Sequence, residues 1–266
     1  MKMFAVKTTI QENAMLNHTL EQMTDLRLHG MKTALIEQME QPALFLDRSF
    51  EERLSMLIEM EVVERKNRRI KYMLRNARLK YRNAEMSDID YHNARDLDKR
   101  LIQSLSQNDW LDHFHNLIIT GPTGTGKTWL ANALANHAVI SGYSAHYIRI
   151  STLMAELALK RAEGDYLKWL KKMKSFRLLI LDDLGLMALS TEQTQELLEV
   201  IEARNGNGSI IVTSQLPTKE WYAYFKNPTL ADAIMDRLIH NAYKINLKGE
   251  SMRKIKNVMN LSEKLE

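Results

Sequence analysis

Residues 121–138 read "GPTGTGKTWLANALANHA", and they directly follow the apolar run "NLIIT" at 116–120. The first eight fit the pattern G-x-x-x-x-G-K-[ST] from Gly121 to Thr128. This pattern indicates a phosphate-binding loop when a strand precedes it and a helix follows. The apolar run is typical of a buried strand, and Ala131, Leu134 and Ala138 recur on one helical face. The stretch therefore predicts a strand, a phosphate-binding loop and a helix in succession.

The residue types in this loop suit a nucleoside triphosphate, and we expect ATP. Glycines allow backbone N–H groups to turn inward around phosphate oxygens, and the helix N-terminus adds a partial positive charge. Lys127 is expected to reach the β- and γ-phosphates, and Thr128 to bind Mg²⁺. Trp129, which directly follows the eight-residue motif, is also expected to be a packing residue. The predicted ATP-binding residues of the loop are Gly121, Pro122, Thr123, Gly124, Thr125, Gly126, Lys127, Thr128 and Trp129.

A second motif, "LLILDDLG" at 178–185, supplies the carboxylates that ATP hydrolysis needs. An apolar strand delivers Asp182 at its carboxyl end, where it can hold Mg²⁺ through water. Asp183 follows at the position where a carboxylate could orient and deprotonate the attacking water. The sequence therefore predicts Asp182 as a metal residue and Asp183 as the general base. A polar turn after a strand is the alternative interpretation.

Five short β-rich runs alternate with helical patterns in the rest of the chain. They are "NLIIT" (116–120), "AHYIRI" (145–150), "RLLIL" (177–181), "SIIVT" (209–213) and "YKINL" (243–247). Continuous apolar strands separated by helices are typical of a parallel sheet that is covered on both faces. The pattern predicts an α/β domain, which we place at residues 85–266.

The first 84 residues show helical periodicity and no strand pattern, which predicts a helical N-terminal domain at residues 1–84. One helix is expected from residue 14 to 40 and ends before Pro42. A second is expected to begin at Ser49, which can form a capping box with Glu52, and to continue to about residue 82. A shorter helix is expected from Ala94 to Leu105.

Composition excludes several classes of protein. The 266 residues contain no cysteine, so neither disulfides nor thiolate metal sites are available. No run of 18 or more apolar residues occurs, which argues against a membrane partner. The first residues, "MKMFAVKTTIQENAM", lack the features of a secretion signal, so a cytoplasmic protein is expected. The formal net charge is only +4, and its placement is more informative than its size.

Two arginines outside these motifs are candidates for phosphate contact. Arg237 lies in "ADAIMDRLIHNAYKINL", on a helical pattern before the last strand, and Arg253 lies in "GESMRK". A guanidinium group suits phosphate because its planar fork donates two hydrogen bonds and stays charged. A surface ion pair is the alternative for each arginine, and the residues alone leave that alternative open.

Taken together, "NLIITGPTGTGKTWLANALANHA", "LLILDDLG", "IIVTSQLP" and "AIMDRLIHNAYKINLKGESMRK" resemble the IstB family of AAA+ ATPases. These are helper proteins of a class of bacterial insertion sequences and relatives of the DnaC-type helicase loaders. The resemblance covers residues 85–260 strongly and the helical region more loosely. It implies a P-loop core with strand order 5-1-4-3-2 and ATP sites between neighbouring subunits, and hence a homo-oligomer.

The resemblance also implies roles for single residues. Arg237 becomes the arginine finger that reaches into a neighbour's site, and Arg253 the sensor of the bound γ-phosphate. Gln215 aligns with the polar sensor at the end of the fourth strand, where asparagine is usual, and Ser214 competes for this role. Asp183 stands where glutamate is commoner, so its carboxylate reaches one methylene less far. The expected catalytic residues are Lys127, Asp183, Gln215 and Arg237.

Positive charge is concentrated in two segments. Residues 61–82 carry nine basic and two acidic side chains, and cations at this density repel each other unless an anion is near. In initiators and loaders related to the family, an extra helix between the second and third strands lines a DNA channel. This chain has room for that helix at "STLMAELALKRAEGDYLKWLKKMK" (151–174), where a helix is expected from Asp165. Its lysines lie opposite Tyr166, Trp169, Leu170 and Met173. The predicted DNA-binding residues are Arg68, Lys71, Arg75, Arg78, Arg82, Lys168, Lys171 and Lys172.

The leading hypothesis is a DNA-dependent ATPase that assembles on duplex DNA with ATP bound and presents this DNA to the transposase of its element. A replicative helicase loader, which would grip a helicase and prefer single-stranded DNA, is the alternative closest in chemistry. A small-molecule P-loop kinase and a DNA-coating protein are further alternatives. For both basic segments a solvated face stays open, as does an acidic partner surface for residues 61–82.

Overall fold

The computed structural model describes residues 15–91 and 96–252 of the chain. The chain divides into two compact units, Met1–Tyr72 and Met73–Glu266. The domain boundary that the sequence places between residues 84 and 85 stays a prediction.

The described part of the first unit is helical. Its elements are α1 (15–25), α2 (His29–Glu40), a 3-10 turn (Pro42–Phe45) and α3 (Phe50–Ala77), whose last residues belong to the second unit. The prediction of one continuous helix from residue 14 to 40 is wrong, because residues 26–28 leave the helix and Arg27 adopts a left-handed φ of 58°. The capping box is confirmed, since the Glu52 N–H donates to Ser49 Oγ over 3.2 Å and the Ser49 N–H donates to Glu52 Oε2 over 2.8 Å.

Glu61 of α3 fastens the N-terminus of α2, which has no side-chain cap of its own. Its buried carboxylate accepts hydrogen bonds from the N–H groups of Gly30 (2.7 Å) and Met31 (3.2 Å) and from Arg65 Nε (2.6 Å). Burial alone would raise the pKa of Glu61, but Arg65 and the two N–H groups outweigh burial and hold this pKa below its ordinary value. The charged carboxylate thus satisfies helix donors that would otherwise lack a partner.

Gly30 lies where α2 and α3 approach closely, because a Cβ at this position would be 2.5 Å from the Met60 carbonyl oxygen. Alanine is favoured over glycine in a helix by about 1 kcal/mol, but overpacking costs about 1–3 kcal/mol. We therefore expect Gly30→Ala to lower the free energy of unfolding, measured by urea denaturation followed by circular dichroism. Thr33→Ala changes an exposed position of the same helix and should not lower it. A Gly30→Ala variant more stable than the wild type would contradict the close approach.

α3 ends at Ala77, so the prediction that it continues to about residue 82 is wrong. Arg78 adopts a left-handed φ of 50°, and the chain then turns so that Leu79 and Ala84 are buried. Burial of these apolar side chains overrides the helical pattern of the sequence. Of the five predicted DNA-binding residues in segment 61–82, which was expected to be helical throughout, two lie beyond the end of α3, namely Arg78 and Arg82.

The second unit contains α4 (Lys99–Ser106) and the single turn α5 (Asp109–Asp112) before its first strand. α4 begins at Lys99, because the Asp98 side chain caps the helix at that point. The predicted start, Ala94, lies in residues 92–95, outside the described residues. The later elements are β1 (Asn116–Thr120), α6 (Lys127–Ile140), β2 (Ala145–Arg149), α7 (Ile150–Ala162), α8 (Tyr166–Ser175), β3 (Leu178–Leu184), α9 (Thr191–Arg204), β4 (Ser209–Ser214), α10 (Trp221–Phe225), α11 (Pro228–Ile239) and β5 (Ala242–Asn246).

The sheet confirms the predicted α/β fold class and strand order. Its five strands are parallel and lie in the order β5-β1-β4-β3-β2. The inner strands β1, β3 and β4 are almost wholly buried, as their continuous apolar runs predict. Because parallel strands end at the same edge, the residues that follow β1, β3 and β4 meet at the carboxyl edge of the sheet.

One buried apolar cluster joins β1–β4 to helices α7–α11. Trp169 and Met173 of α8 belong to this cluster, so the predicted inward face of α8 is confirmed. Within residues 15–91 and 96–252, every helix is too short or too polar to cross a membrane.

Candidate nucleotide-binding site

The predicted phosphate-binding loop connects β1 to α6 at the carboxyl edge of the sheet. Two positions of the loop require glycine, because they have a positive φ and leave no room for a Cβ atom. A Cβ on Gly121 (φ 143°) would lie 2.2 Å from the Leu247 carbonyl oxygen, and one on Gly124 (φ 87°) would lie 2.2 Å from Ser251 Oγ. The Met252 N–H donates to the Gly124 carbonyl oxygen over 2.9 Å. The segment after β5 therefore lies against the loop.

Lys127, the first residue of α6, is buried beneath the loop. Its Nζ donates to the carbonyl oxygens of Gly121 (2.7 Å) and Pro122 (2.8 Å). Burial lowers the pKa of Lys127, while the carboxylates of Asp183 and Asp182 oppose that shift. An ammonium group has three donors, so one remains for a phosphate oxygen.

Asp182 is fully buried at the carboxyl end of β3 and is held by three hydroxyl groups. Its Oδ1 accepts from Thr128 Oγ1 (2.8 Å) and Thr213 Oγ1 (2.6 Å), and its Oδ2 accepts from Tyr147 Oη (2.6 Å). Burial and the contact with Asp182 raise the pKa of Tyr147, which keeps this phenol protonated as a donor. The paired oxygens of Thr128 and Asp182 fit Mg²⁺, which prefers hydroxyl, carboxylate and phosphate oxygens.

Asp183 lies where β3 departs from regular strand geometry. The pairing with β4 shifts register between Leu181 and Leu184, and Asp183 has a left-handed φ of 63°. This conformation is costly for a residue with a side chain, and the surroundings sustain it because the Asp183 N–H donates to Thr213 Oγ1 over 3.0 Å. Asp183 Oδ2 lies 3.6 Å from Arg149 Nε, and its side chain is 22% exposed. The carboxylate is therefore open to solvent at the edge that holds the loop.

Three residues at this edge were missed from the sequence: Tyr147, Arg149 and Thr213. Arg149 pairs in register with Asp182, and its Nε lies 4.0 Å from Asp182 Oδ2 as well as close to Asp183. Tyr147 is the middle residue of β2, and Arg149 and Thr213 are polar residues at the carboxyl ends of β2 and β4, the two neighbours of β3. The shared position of Arg149 and Thr213, combined with the strand order, is the signal that could have found these two.

The structure separates the two candidates for the polar sensor. Gln215 is exposed, and its Oε1 accepts from Thr123 Oγ1 of the loop over 2.8 Å. Ser214 is buried, and its Oγ donates to the Leu184 carbonyl oxygen over 2.7 Å. Gln215 is the one that faces the loop, and its catalytic role stays a prediction.

Arg237 lies away from the loop of its own subunit. Its Nη2 is 2.8 Å from Glu202 Oε1 on α9, and its Nη1 donates to the Ala233 carbonyl oxygen over 2.9 Å. Its own carbonyl oxygen accepts from Asn116 Nδ2 over 2.9 Å, at the first residue of β1. The loop begins beyond the other end of β1, across about 13 Å of extended strand.

Arg253 and Trp129 are two further residues that the sequence predicts to bind ATP. Arg253 lies outside the described residues, although Met252 before it contacts the loop. Trp129 is partly buried in the first turn of α6. Thr125, inside the loop, is fully buried and donates from Oγ1 to the Pro122 carbonyl oxygen over 2.9 Å.

The predicted DNA-binding residues have different surroundings. Arg68 forms ion pairs with Glu61 (3.7 Å) and Glu64 (3.5 Å) on α3. Arg78 Nη1 lies 3.3 Å from Glu156 Oε1. The remaining candidates are exposed: Lys71, Arg75, Arg82, Lys168, Lys171 and Lys172.

A family profile and individual sequences of known proteins both match this chain, and the two comparisons agree with each other. The profile of the family described as "IstB-like ATP binding protein" matches residues 21–259. An insertion sequence ATP-binding protein of Sinorhizobium fredii is 43% identical over 244 residues, which cover 90% of this chain and 98% of that protein. The ATP-binding protein of insertion sequence IS1162 from Pseudomonas fluorescens is 44% identical over 204 residues, 77% of this chain and 88% of that protein.

Solved structures share the fold. The crystal structure of DnaI aligns with a TM-score of 0.53 and 22% identity over 66% of this chain and 93% of that chain. The crystal structure of the DnaC helicase loader aligns with a TM-score of 0.52 and 22% identity over 63% of this chain and 98% of that chain. At this identity the likeness shows a common fold, which agrees with the α/β fold class that the sequence predicts.

Proposed function

We propose that this chain, which belongs to the family of IstB-like ATP binding proteins, is an ATPase that assembles on duplex target DNA and hands it to the transposase of its element. Membership of the family establishes an ATP-binding protein related to those of insertion sequences. Duplex DNA, Mg²⁺, the homo-oligomer and the transposase are the proposed parts. In this account bound ATP joins neighbouring subunits, and hydrolysis releases them.

The position of Arg237 carries the proposal. Its backbone is fixed at the amino end of β1, and its guanidinium group is held by Glu202, whereas the phosphate-binding loop follows the carboxyl end of β1. Arg237 is thus badly placed to reach the phosphates of its own subunit. If Arg237 completes an ATP site, that site belongs to a neighbouring copy, so ATP hydrolysis would depend on assembly.

Each residue at the carboxyl edge of the sheet has a separate role in the proposed hydrolysis of ATP. Lys127 binds the β- and γ-phosphates, and Thr128 and Asp182 would hold Mg²⁺, which neutralises phosphate charge. Asp183 orients a water molecule and takes its proton as the water oxygen attacks the γ-phosphorus. The bond from that phosphorus to the bridging oxygen breaks, which yields ADP and inorganic phosphate. Gln215 and the neighbour's Arg237 contact the transferred group as negative charge develops.

Electron microscopy of the full chain with duplex DNA and a non-hydrolysable ATP analogue tests the assembly. We expect multi-subunit particles on duplex DNA that require both ligands. A protein that stays monomeric with both ligands in excess at low salt contradicts the proposal. Preference for single-stranded DNA, with capture of a helicase instead of a transposase in a pull-down, would favour a helicase loader. ATPase activity that is indifferent to DNA would favour a small-molecule kinase.

Lys127→Ala is expected to weaken ATP binding about 10- to 100-fold, the range for a lost hydrogen bond to a charged group. A fluorescent ATP analogue titrated in the presence of Mg²⁺ measures this change. Lys219→Ala, at an exposed lysine outside the loop, should bind the analogue as the wild type does. Equal affinities of Lys127→Ala and wild type would show that the loop lysine does not bind the phosphates.

A further inference from the structure

The two basic segments that are far apart in the sequence come together in the second unit. Arg78 follows the end of α3, and Glu156 of α7 binds it through Oε1 at 3.3 Å. The other oxygen of the same carboxylate, Oε2, accepts from Trp169 Nε1 of α8 over 3.1 Å. One carboxylate therefore connects the basic segment after α3 to the basic helix α8.

A second contact connects the same two elements independently. His146 of β2 is buried, and its Nδ1 donates to the Asn76 carbonyl oxygen, in the last turn of α3, over 3.1 Å. One face of the imidazole ring stacks on the ring of Phe176, the residue after α8, and the two ring centroids lie 4.8 Å apart. Residues at the ends of α3 and α8 therefore contact the same imidazole ring, which holds these two helix ends close together.

The cations at this junction point outward. Arg78 is 61% exposed, and the lysines of α8 are exposed and form no ion pair with any residue that the structure describes. Trp169 and Met173 of the same helix are buried in the core. Exposed lysines without a carboxylate partner, and an arginine in an exposed ion pair, can bind phosphate groups without reading base sequence.

We propose that Arg78, Arg82 and the α8 lysines Lys168, Lys171 and Lys172 form a single face that binds the phosphate backbone of duplex DNA, with Glu156 holding its two halves together. This face rests on the proposed function, which supplies the duplex. A protein partner is less suited to it, because a protein interface needs an apolar centre and Leu167 is the one largely exposed apolar side chain of α8. In this proposal both basic segments bind the same DNA duplex, instead of each segment binding a ligand of its own.

Thiol protection tests the face directly, since the natural chain has no cysteine. Single variants Arg78→Cys, Lys172→Cys and Lys244→Cys react with a charged methanethiosulfonate reagent with or without a short duplex. Lys244 is a matched control, an exposed lysine on β5, at the sheet edge opposite β2. Because Arg78 lies at a left-handed turn, Arg82→Cys is a second variant for that half of the face.

The two halves should be protected together. At duplex concentrations ten times the Kd, the reaction of Arg78→Cys (or Arg82→Cys) and Lys172→Cys should slow about tenfold, with the same half-saturating concentration and no effect on Lys244→Cys. Protection of Lys172→Cys alone, or protection by an ATP analogue without DNA, overturns the single face. Equal protection by poly-glutamate of matched charge would point to an acidic protein instead. Failure of every variant and of the wild type to bind duplex, measured by fluorescence anisotropy, rejects the proposed function itself.

Glu156→Gln gives a second readout. Glutamine keeps an acceptor for Trp169 but removes the negative charge that competes with phosphate for Arg78. Duplex affinity should rise roughly two- to fivefold, the factor that corresponds to an exposed ion pair. Glu192→Gln makes the same charge change at the start of α9 and should have no comparable effect. An unchanged affinity of Glu156→Gln would contradict the role of Glu156 in the face.

Discussion

Asp183→Asn is expected to lower ATP turnover by about 10²- to 10⁴-fold while ATP binding is retained. Asparagine has the size of aspartate and keeps the backbone N–H that donates to Thr213, but its amide cannot accept the proton of the attacking water. Phosphate release in the presence of duplex DNA measures turnover, and a fluorescent ATP analogue measures binding. If hydrolysis releases the subunits, as proposed, assemblies of this variant on DNA should persist after wild-type assemblies have dissociated.

Arg149→Gln separates two explanations for that loss. Asp183 also lies 3.6 Å from Arg149 Nε, so Asp183→Asn weakens an ion pair as well as removing the proposed base. Arg149→Gln removes the same ion pair and leaves the Asp183 carboxylate in place. If Arg149→Gln lost as much turnover as Asp183→Asn, the ion pair would explain the loss. Normal turnover by Asp183→Asn would show that the assignment of the base is wrong.

Arg237→Ala is expected to reduce turnover by about 10³- to 10⁵-fold, the range for an arginine finger in nucleotide hydrolysis. The guanidinium group would stabilise negative charge on the transferred phosphoryl group of a neighbouring subunit. ATP affinity of the isolated subunit should stay unchanged, since Arg237 contacts Glu202 and Ala233 and is held at the other end of β1 from the loop. Phosphate release at saturating ATP and duplex DNA measures the effect.

Glu202→Gln is the matched control for this second prediction. It removes the charge of the Glu202 carboxylate, which lies 2.8 Å from Arg237 Nη2, and leaves the arginine intact. If Arg237 served only to anchor α11 to α9, Glu202→Gln would lose turnover to the same degree. A finger that must leave Glu202 to reach a neighbour predicts turnover at or above the wild-type level. Wild-type turnover by Arg237→Ala would contradict the role of the finger.

The parts of the site that one continuous motif encodes could be predicted from the sequence. The loop from Gly121 to Thr128 and the two aspartates of β3 each depend on residues next to each other in the chain, so a local pattern is enough. The inner strands β1, β3 and β4 were also predictable, because buried parallel strands are continuous apolar runs. The edge strands β2 and β5 were predictable from short β-rich runs between helical patterns. Their order followed from the family resemblance, and the sheet confirms it.

Residues brought together by tertiary packing could not be predicted in the same way. Tyr147 and Arg149 contact the aspartates only because β2 lies beside β3. Arg78 meets Glu156 across 78 residues of sequence, after a left-handed turn that the helical pattern of the segment hides. The break at residues 26–28 is hidden for the same reason, since propensity is weaker than packing.

Mixing two inactive variants tests most directly whether a neighbour completes the ATP site. An Arg237→Ala subunit keeps Asp183, and an Asp183→Asn subunit keeps Arg237, so a seam between the two can contain both groups. In a randomly mixed head-to-tail assembly about one quarter of the seams would be intact, and turnover should recover to about that fraction of the wild-type value. Turnover no higher than the sum of the two separate variants, in mixtures that still assemble on duplex DNA, would contradict a site shared between subunits.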